Sequence, residues 1–191
     1  MIPSINPFTA LKLNFIEIQP DGELILDKLD DLFQDNAKFL SLTHVSNVLG
    51  TINPIKDIIS KAHEHGITTL VDAAQSVPHM PVDVQDLDSD FFVFSGHKML
   101  GPSGIGVLHA KKTLLENMEP FLYGGDMISN VSLREAQWND VPWKFEAGTP
   151  NIAGAIGLGK AVDYLNQIGM DVVHKHEQEL YNYAIDRFSE L

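Results

Sequence analysis

Cysteine is absent from the 191 residues of this chain. A chain without cysteine contains no disulfide, no thiolate-bound metal and no catalytic thiol of its own. Long apolar runs are lacking too, because no stretch approaches the ~18 consecutive apolar residues of a membrane-spanning helix. Residues 1–9 also lack the basic start and extended apolar segment of a secretory signal peptide. We therefore expect a cytoplasmic protein.

Basic residues are few: 13 lysines and arginines stand against 26 acids, a net charge of −13. This balance argues against a nucleic-acid-binding surface, which needs a basic patch. The hydrophobic content of 44% and the charged content of 20% indicate a globular rather than a disordered chain. The length suffices for one sizeable domain with its own core.

Strand-like and helix-like segments alternate along the chain. Strands are predicted at residues 11–18, 37–45, 67–71, 91–95 and 104–109, and helices at 24–33, 53–65, 84–87, 113–118, 152–168 and 171–191. This alternation predicts an α/β domain with a mostly parallel sheet flanked by helices. Such sheets bind ligands at the carboxyl ends of their strands. Residues 121–150, which carry both tryptophans, are predicted to form a long functional loop, and helix 152–168 is predicted to be buried.

The segment Ser-Gly-His-Lys at 95–98 follows an apolar strand and precedes a glycine-rich loop. An ammonium at Lys98 would be partly desolvated, which frees the amine as a nucleophile. Such a lysine can hold an aldehyde cofactor as a Schiff base, and pyridoxal phosphate is the candidate. Ser95 and His97 could bind the cofactor phosphate. The competing interpretation is an exposed loop lysine beside a structural histidine.

Asp72 ends another predicted strand, with one further strand between it and Lys98. A carboxylate beside a pyridine nitrogen keeps that nitrogen protonated, so that the ring accepts electrons from a substrate carbanion. Gln75 could donate a hydrogen bond to the phenolate oxygen of the ring. The structural alternatives are that Asp72 caps the segment after it and that Gln75 is a solvated turn residue. The neighbouring lysine motif favours the cofactor interpretation.

Asn47 follows a strand and could reach the same ring, or it could be a turn asparagine. The other polar clusters are assigned no chemistry. The histidines are predicted on polar helix faces, and the acids in a solvated turn, because a calcium site needs a tighter alternation with glycine at the bend. These residues are His63, His65, His174 and His176, and Asp83, Asp86, Asp88 and Asp90.

Several segments together resemble the class V aminotransferase-like family of pyridoxal-phosphate enzymes, and especially its SUF-type cysteine desulfurases, also known as selenocysteine lyases. They are THVSNVLGT (43–51), VDAAQSVPHMPVDVQDLDSDFFVFSGHKMLGPSGIGVL (71–108), YGGDMI (123–128) and FEAGTPN (145–151). Their order and spacing fit as well. The resemblance covers most of the chain after about residue 11 and is more specific than any single motif.

The resemblance implies the large domain of a fold type I enzyme and an obligate homodimer. The implied reaction releases sulfur from L-cysteine as an enzyme persulfide and leaves L-alanine; selenocysteine is a second possible substrate. The sulfur would pass to an acceptor protein for iron–sulfur cluster assembly. The implied cofactor contacts are the Schiff base at Lys98, the ring contacts of Asn47, Asp72 and Gln75, and the phosphate contacts of Ser95, His97 and, across the dimer interface, Thr149.

Parts of the family's site have no match in this sequence. By the resemblance, the nucleophilic cysteine and the arginine that grips the substrate carboxylate belong to a C-terminal domain, and the ring-stacking histidine belongs to an N-terminal segment. We therefore expect residues 1–191 to be a partial pyridoxal-phosphate-binding large domain, truncated at both ends. The helices from about 152 to 191 would lead toward a missing small domain. Alone, the chain would be inactive as a desulfurase.

Two other interpretations of the sequence stay open. The chain could come from another class V enzyme, a lyase, epimerase or transaminase, that shares the fold and the cofactor. It could also be a non-catalytic remnant whose motifs reflect an ancestral activity.

Overall fold

A four-stranded sheet forms the centre of the protein in a computed structural model that describes residues 12–34 and 36–190. Its strands, in spatial order, are β1 (Phe39–Thr43), β2 (Thr68–Asp72), β3 (Phe91–Ser95) and β4 (Gly106–Ala110). The first three strands run parallel, and β4 is antiparallel to β3. The predicted α/β class with a mostly parallel sheet is confirmed.

Helices connect and flank these strands. They are α1 (Leu29–Gln34), α2 (Ile55–Glu64), α3 (Val84–Leu87), α4 (Lys112–Asn117), α5 (Ile152–Ile168) and α6 (Met170–Ser189), with short 3₁₀ turns at Gly96–Met99 and Trp143–Phe145. None of the helices in the described ranges is both long enough and apolar enough to cross a lipid bilayer. The last residue of the predicted helix 171–191 lies outside the described residues.

Helix α2 covers one face of the sheet because of its apolar spacing. It starts after Pro54, whose fixed φ suits the start of a helix, and it stops before Gly66, which takes a φ of +67°. Its buried positions recur every three or four residues on one face: Ile55, Ile58, Ile59 and Ala62. Ile55 and Ile59 pack against Val71 of β2 and Phe92 of β3. This contact anchors the two central strands to the helix.

A separate apolar cluster joins α5 to the turn after β3. Met99 packs with Leu158 and Leu165, and Phe94 and Ile105 pack around them. The turn that carries Lys98 is therefore fastened to a helix on one side.

The strand predicted at residues 11–18 is wrong. Residues 12–17 form no strand, and Ile18 makes only an isolated bridge with Leu24; residue 11 lies outside the described residues. Alternation of apolar and polar residues favours a strand, but a strand forms only where a neighbouring backbone pairs with its N–H and C=O groups. The helix predicted from residue 24 likewise begins only at Leu29.

The long loop predicted at 121–150 and the predicted burial of helix 152–168 need correction. The loop region contains an antiparallel hairpin of β5 (Ile128–Val131) and β6 (Ala136–Trp138). Helix α5 buries only a narrow stripe of small and apolar residues, while Ile156, which lies outside that stripe, is 64% exposed. Mean apolarity over a window does not reveal which side of a helix meets a neighbour.

Asp90 connects several elements at the amino-terminal edge of the sheet. Its Oδ2 accepts hydrogen bonds from the backbone N–H of Thr69 at 2.8 Å and from the Thr69 hydroxyl at 3.1 Å, and it lies 2.9 Å from Nε2 of His63 on α2. Its Oδ1 lies 3.1 Å from Nζ of Lys111, which follows β4. The solvated turn predicted for Asp90 and the surface role predicted for His63 are wrong, because elements distant in sequence converge here and leave Asp90 8% exposed.

Burial alone would raise the pKa of Asp90, but the hydrogen bonds from Thr69 and His63 and the charge of Lys111 outweigh it and lower the pKa. A lowered folded-state pKa means that the unfolded chain binds more protons as the pH falls through the unfolded value of about 4. The stabilisation by this carboxylate is therefore complete above about pH 4 and is lost as the pH falls through the folded-state value.

Replacement of Asp90 by asparagine tests this network. We expect Asp90→Asn to lower the free energy of unfolding at pH 7 by about 1–3 kcal/mol, because buried donors lose a charged acceptor. The difference from the wild type should shrink as the pH falls below about 4. Urea unfolding across this pH range measures both. Asp86→Asn, at an exposed ion pair with Lys56, should cost under about 0.5 kcal/mol; an equal cost at Asp86 would contradict the assigned role.

Candidate functional site

The carboxyl ends of β1, β2 and β3 lie side by side. Thr43 is level with Asp72, and Asp72 is level with Val93, so that Ser95 lies two residues further along the next strand. The backbone pairing continues past the strand ends, since the N–H of His44 donates to the Asp72 carbonyl at 2.9 Å. The polar residues that follow each strand therefore meet at one edge of the sheet, where open α/β sheets bind ligands.

Asp72 is half-buried at the end of the central strand. Its Oδ1 accepts a hydrogen bond from the backbone N–H of Ala74 at 2.9 Å, so the predicted capping alternative is present in the structure. A carboxylate has about four acceptor positions on two oxygens, and one cap does not exhaust them. Gln75, also half-buried, lies in the tight turn formed where Ser76 and Val77 donate to the Ala73 carbonyl. Both side chains border the same strand end.

The turn that carries Lys98 is closed by backbone contacts too tight for side chains. Gly96 donates to the Ile105 carbonyl and Gly101 donates to the Gly96 carbonyl, each at 2.9 Å. A Cβ atom on Gly101 would lie 2.8 Å from the Gly96 oxygen, a distance that real Cβ atoms essentially never show. Leu100 adopts a φ of +66°, in the left-handed region that bulky residues avoid. The conformation is therefore imposed by its surroundings rather than by local preference.

Lys98 and His97 are exposed at this turn, and Ser95 is half-buried just before it. The expected partial desolvation of the Lys98 ammonium is therefore wrong for this structure. The buried neighbours are instead Gly96 and Met99, on either side of the exposed pair. The arrangement presents an amine and an imidazole from a rigid base, which is how a preorganised site holds reactive groups.

Asn47 lies at an exposed turn beyond β1. Ser46 closes that turn, since its hydroxyl accepts hydrogen bonds from the N–H groups of Val48 at 3.3 Å and Leu49 at 3.1 Å. The turn alternative predicted for Asn47 therefore describes its backbone, and no contact of its side chain with the other predicted residues is observed among the described residues. Whether it reaches a ligand stays a prediction.

His44 is a buried group at this edge that the sequence interpretation did not single out. It is 6% exposed, and its Nδ1 has no hydrogen-bond partner among the described residues. Burial lowers its pKa, so the imidazole is neutral at pH 7. Its position one residue after β1, inside the segment that resembles the family, was the available signal.

Thr149 is exposed in a segment that returns to the Lys98 turn. Upstream of it, Gly148 donates to the Gly125 carbonyl at 2.9 Å. Downstream, Nδ2 of Asn151 donates to the Gly104 carbonyl at 3.1 Å. Asn151 was not predicted as a site residue, although it lies in the FEAGTPN segment. The structure thus attaches the Thr149 segment to the loop that follows Lys98.

Two surface cavities lie away from these residues. One, of about 630 Å³, is lined in part by Trp138 and Trp143, and the other, of about 510 Å³, lies beside His63. Neither is lined by a predicted site residue. We place the candidate site at the strand ends because of its donor set: a carboxylate, an amide, a hydroxyl, an imidazole and a primary amine.

Comparison with known proteins identifies the family of the chain. The family described as aminotransferase class-V matches residues 2–191. A curated relative from Halalkalibacterium halodurans, named probable cysteine desulfurase, is 55% identical over 183 residues, which are 96% of this chain and 45% of the relative.

Solved structures give the same result. The cysteine desulfurase CsdA of Escherichia coli matches with a TM-score of 0.89 and 39% identity over 92% of this chain and 44% of that one. The cysteine desulfurase of Thermococcus onnurineus matches with a TM-score of 0.90 and 40% identity over 94% of this chain and 45% of that one. The predicted fold class is thereby confirmed. The chain spans a little under half the length of the relatives it matches.

The left-handed backbone at Leu100 makes a testable prediction. We expect Leu100→Gly to raise the free energy of unfolding by about 0.5–1 kcal/mol, because glycine adopts a positive φ without strain. Little burial is lost, since the side chain is 64% exposed. Leu122→Gly is the matched control at a leucine that is 57% exposed, where the added chain entropy should destabilise instead. Thermal unfolding measures both, and destabilisation by Leu100→Gly would show that the turn is unstrained.

Proposed function

Because this chain belongs to the class-V aminotransferase family, we propose that it forms the cofactor-binding part of a pyridoxal-phosphate-dependent cysteine desulfurase. The convergence of the β1, β2 and β3 ends, with Asp72 on one strand and the Lys98 turn on the next, carries the proposal. The relatives named cysteine desulfurase support L-cysteine as the substrate and L-alanine as the product. The SUF-type assignment, a sulfur-acceptor protein, a role in iron–sulfur cluster assembly, the homodimer and a cytoplasmic location belong to the same proposal.

The residues present fit pyridoxal phosphate by their chemistry. The half-buried Asp72 carboxylate suits the pyridine nitrogen, and the Gln75 amide suits the phenolate oxygen. Ser95 and His97 offer a hydroxyl and an imidazole for the phosphate, on either side of Gly96 in the closed turn. The exposed amine of Lys98 is free of the packing against α5 that holds its neighbour Met99. When bound, the cofactor supplies an electron sink for the pair left at the substrate α-carbon.

Each of the proposed site residues then has a defined task. Asp72 would keep a proton on the ring nitrogen and balance its charge. Lys98 would hold the cofactor through Nζ, and the same Nζ would take the α-proton of the substrate as general base. Asn47 would border the ring, and Thr149 would reach the phosphate of the partner subunit.

Sulfur transfer needs a thiol that this sequence does not contain. An enzyme persulfide forms only when a cysteine thiolate attacks the substrate sulfur. The tasks proposed for the described residues are therefore cofactor attachment, charge balance and proton transfer. The thiol would belong to a segment or chain outside this sequence.

Covalent trapping tests the role of Lys98. We expect incubation with pyridoxal phosphate and reduction with borohydride to leave the pyridoxyl mass mainly on the Lys98 peptide, because its amine lies at the proposed cofactor site. In Lys98→Ala, total labelling should fall at least about tenfold. Lys112→Ala, which removes a side chain that is 75% exposed on α4, is the control and should leave labelling unchanged. Mass spectrometry of the digest decides the matter, and labelling spread evenly over the lysines would refute the proposal.

Asp72→Asn tests the charge at the ring nitrogen. Asparagine can still accept the hydrogen bond from Ala74, so the fold should be kept. We expect affinity for pyridoxal phosphate to fall about tenfold or more, because a hydrogen bond to a charged group contributes about 1.5–3 kcal/mol. Asp83→Asn, at the cap of α3, is a control away from the site. Titration followed by cofactor absorbance measures the affinity, and equal affinities of the wild type and Asp72→Asn would remove Asp72 from the site.

A further inference from the structure

We propose that Asn151 is a positioning residue that sets the Lys98 turn and the Thr149 segment relative to each other. The inference rests on the proposed function, because both residues were assigned there to the cofactor. It adds a group that touches neither cofactor nor substrate and acts through the two segments it joins.

Both ends of the Asn151 amide are engaged, in different directions. Nδ2 donates to the carbonyl of Gly104 at 3.1 Å, and Oδ1 accepts from the backbone N–H of Gly154 at 2.9 Å. Gly104 belongs to the loop between the Lys98 turn and β4, where it holds a φ of +80°. Gly154 lies in the first turn of α5. One side chain therefore bridges the loop after Lys98 and the helix after Thr149.

Apolar packing alone does not fix the position of α5 relative to the Lys98 turn. Leu158 of α5 packs against Met99 of the turn. Pro102 lies against Gly157 of α5, because a Cβ added to Gly157 would be 3.0 Å from the Cγ of Pro102. Such contacts hold α5 close to the turn but permit sliding, because hydrophobic attraction has no preferred direction. A hydrogen bond, in contrast, does have a preferred direction. Asn151 supplies the directional contact at the end of the helix nearest Thr149.

The segment between Thr149 and Asn151 is short and stiff. Pro150 restricts its own φ, and its carbonyl accepts a hydrogen bond from the N–H of Ile152 at 2.8 Å. Gly148 is held by the Gly125 carbonyl on the other side. A displacement of Asn151 is therefore transmitted to Thr149 rather than absorbed by a flexible linker.

A simple helix cap is the competing role for Asn151. Aspartate and serine also cap helices through a side-chain oxygen. Neither can reproduce the donor that Nδ2 presents to Gly104, since aspartate has only acceptors and serine is too short. Asn151→Asp and Asn151→Ser should therefore keep the cap and lose the bridge, whereas Asn151→Ala should lose both.

Two glycines of α5 provide a second, matched comparison. A Cβ at Gly154 would lie 2.4 Å from Nδ2 of Asn151, so Gly154→Ala must push that amide from its place without changing residue 151. A Cβ at Gly159 in the same helix meets nothing within 4 Å. Both changes raise helix propensity in the same way. Only the first should disturb the bridge.

The experiment measures the rate at which pyridoxal phosphate attaches to Lys98 in the full chain, by borohydride trapping and mass spectrometry, alongside the midpoint of thermal unfolding. We expect Asn151→Asp, Asn151→Ser and Gly154→Ala to slow attachment about tenfold, as misplaced reactive groups do. Their unfolding midpoints should stay within a few degrees of the wild type, since caps are kept or helix propensity rises. Gly159→Ala should attach at the wild-type rate.

The outcomes separate the two hypotheses. No attachment to Lys98 in the wild type would refute the proposed function, and this inference with it. Wild-type attachment with unchanged rates in Asn151→Asp and Gly154→Ala would overturn the inference alone. Slowing in Gly159→Ala as large as in Gly154→Ala would overturn it too, because helix composition would then explain the effect. If attachment slowed only in proportion to the loss of folded protein, Asn151 would be a helix cap and not a positioning residue.

Discussion

The pairing of three parallel strand ends is the constraint on which the rest of the site depends. Two backbone hydrogen bonds extend this pairing past the regular strands, from His44 to the Asp72 carbonyl and from Ala73 to the Val93 carbonyl at 2.8 Å. A slip of one residue in either pair would turn Asp72 toward the opposite face of the sheet. The apolar contact between α2 and the two central strands opposes such a slip. Register and core packing therefore act together to place the carboxylate.

A second constraint acts on the segment after β3. The closure of the turn by Gly96 and Gly101 leaves no room for a Cβ, and Leu100 is held in a left-handed conformation. A flexible loop would present the Lys98 amine over a wide range of positions and would lose conformational freedom on every binding event. A closed turn has lost that freedom on folding. The stability of the core thus offsets the strain of the turn, as is common at functional sites.

The sequence predicted the central part of the molecule well and its periphery poorly. The predicted strand 91–95 matches β3 residue for residue, because a short run of β-branched and aromatic residues bounded by polar ones favours a buried strand. The strand at 11–18 was wrong because its formation depends on a pairing partner that alternation does not reveal. The roles of Asp90, His63 and Asn151 were missed for a related reason: each arises from contact between elements distant in sequence, and a polar residue looks the same whether it is solvated or bridging.

The two edges of the sheet differ in whether their buried titratable side chain is satisfied. At the amino-terminal edge, the buried Asp90 carboxylate has donors on both oxygens, from Thr69, His63 and Lys111, although the neighbouring Ser89 hydroxyl has no partner among the described residues. At the carboxyl edge, the buried Nδ1 of His44 has no partner among the described residues. Buried polar atoms are rarely left unpaired in native proteins unless a ligand, an ion or a water completes them. Since burial also lowers the pKa of His44, that edge offers a neutral hydrogen-bonding group beside a carboxylate. A ligand with a polar ring and an anionic tail would thus find a neutral imidazole, a carboxylate and the Lys98 amine at this edge of the sheet.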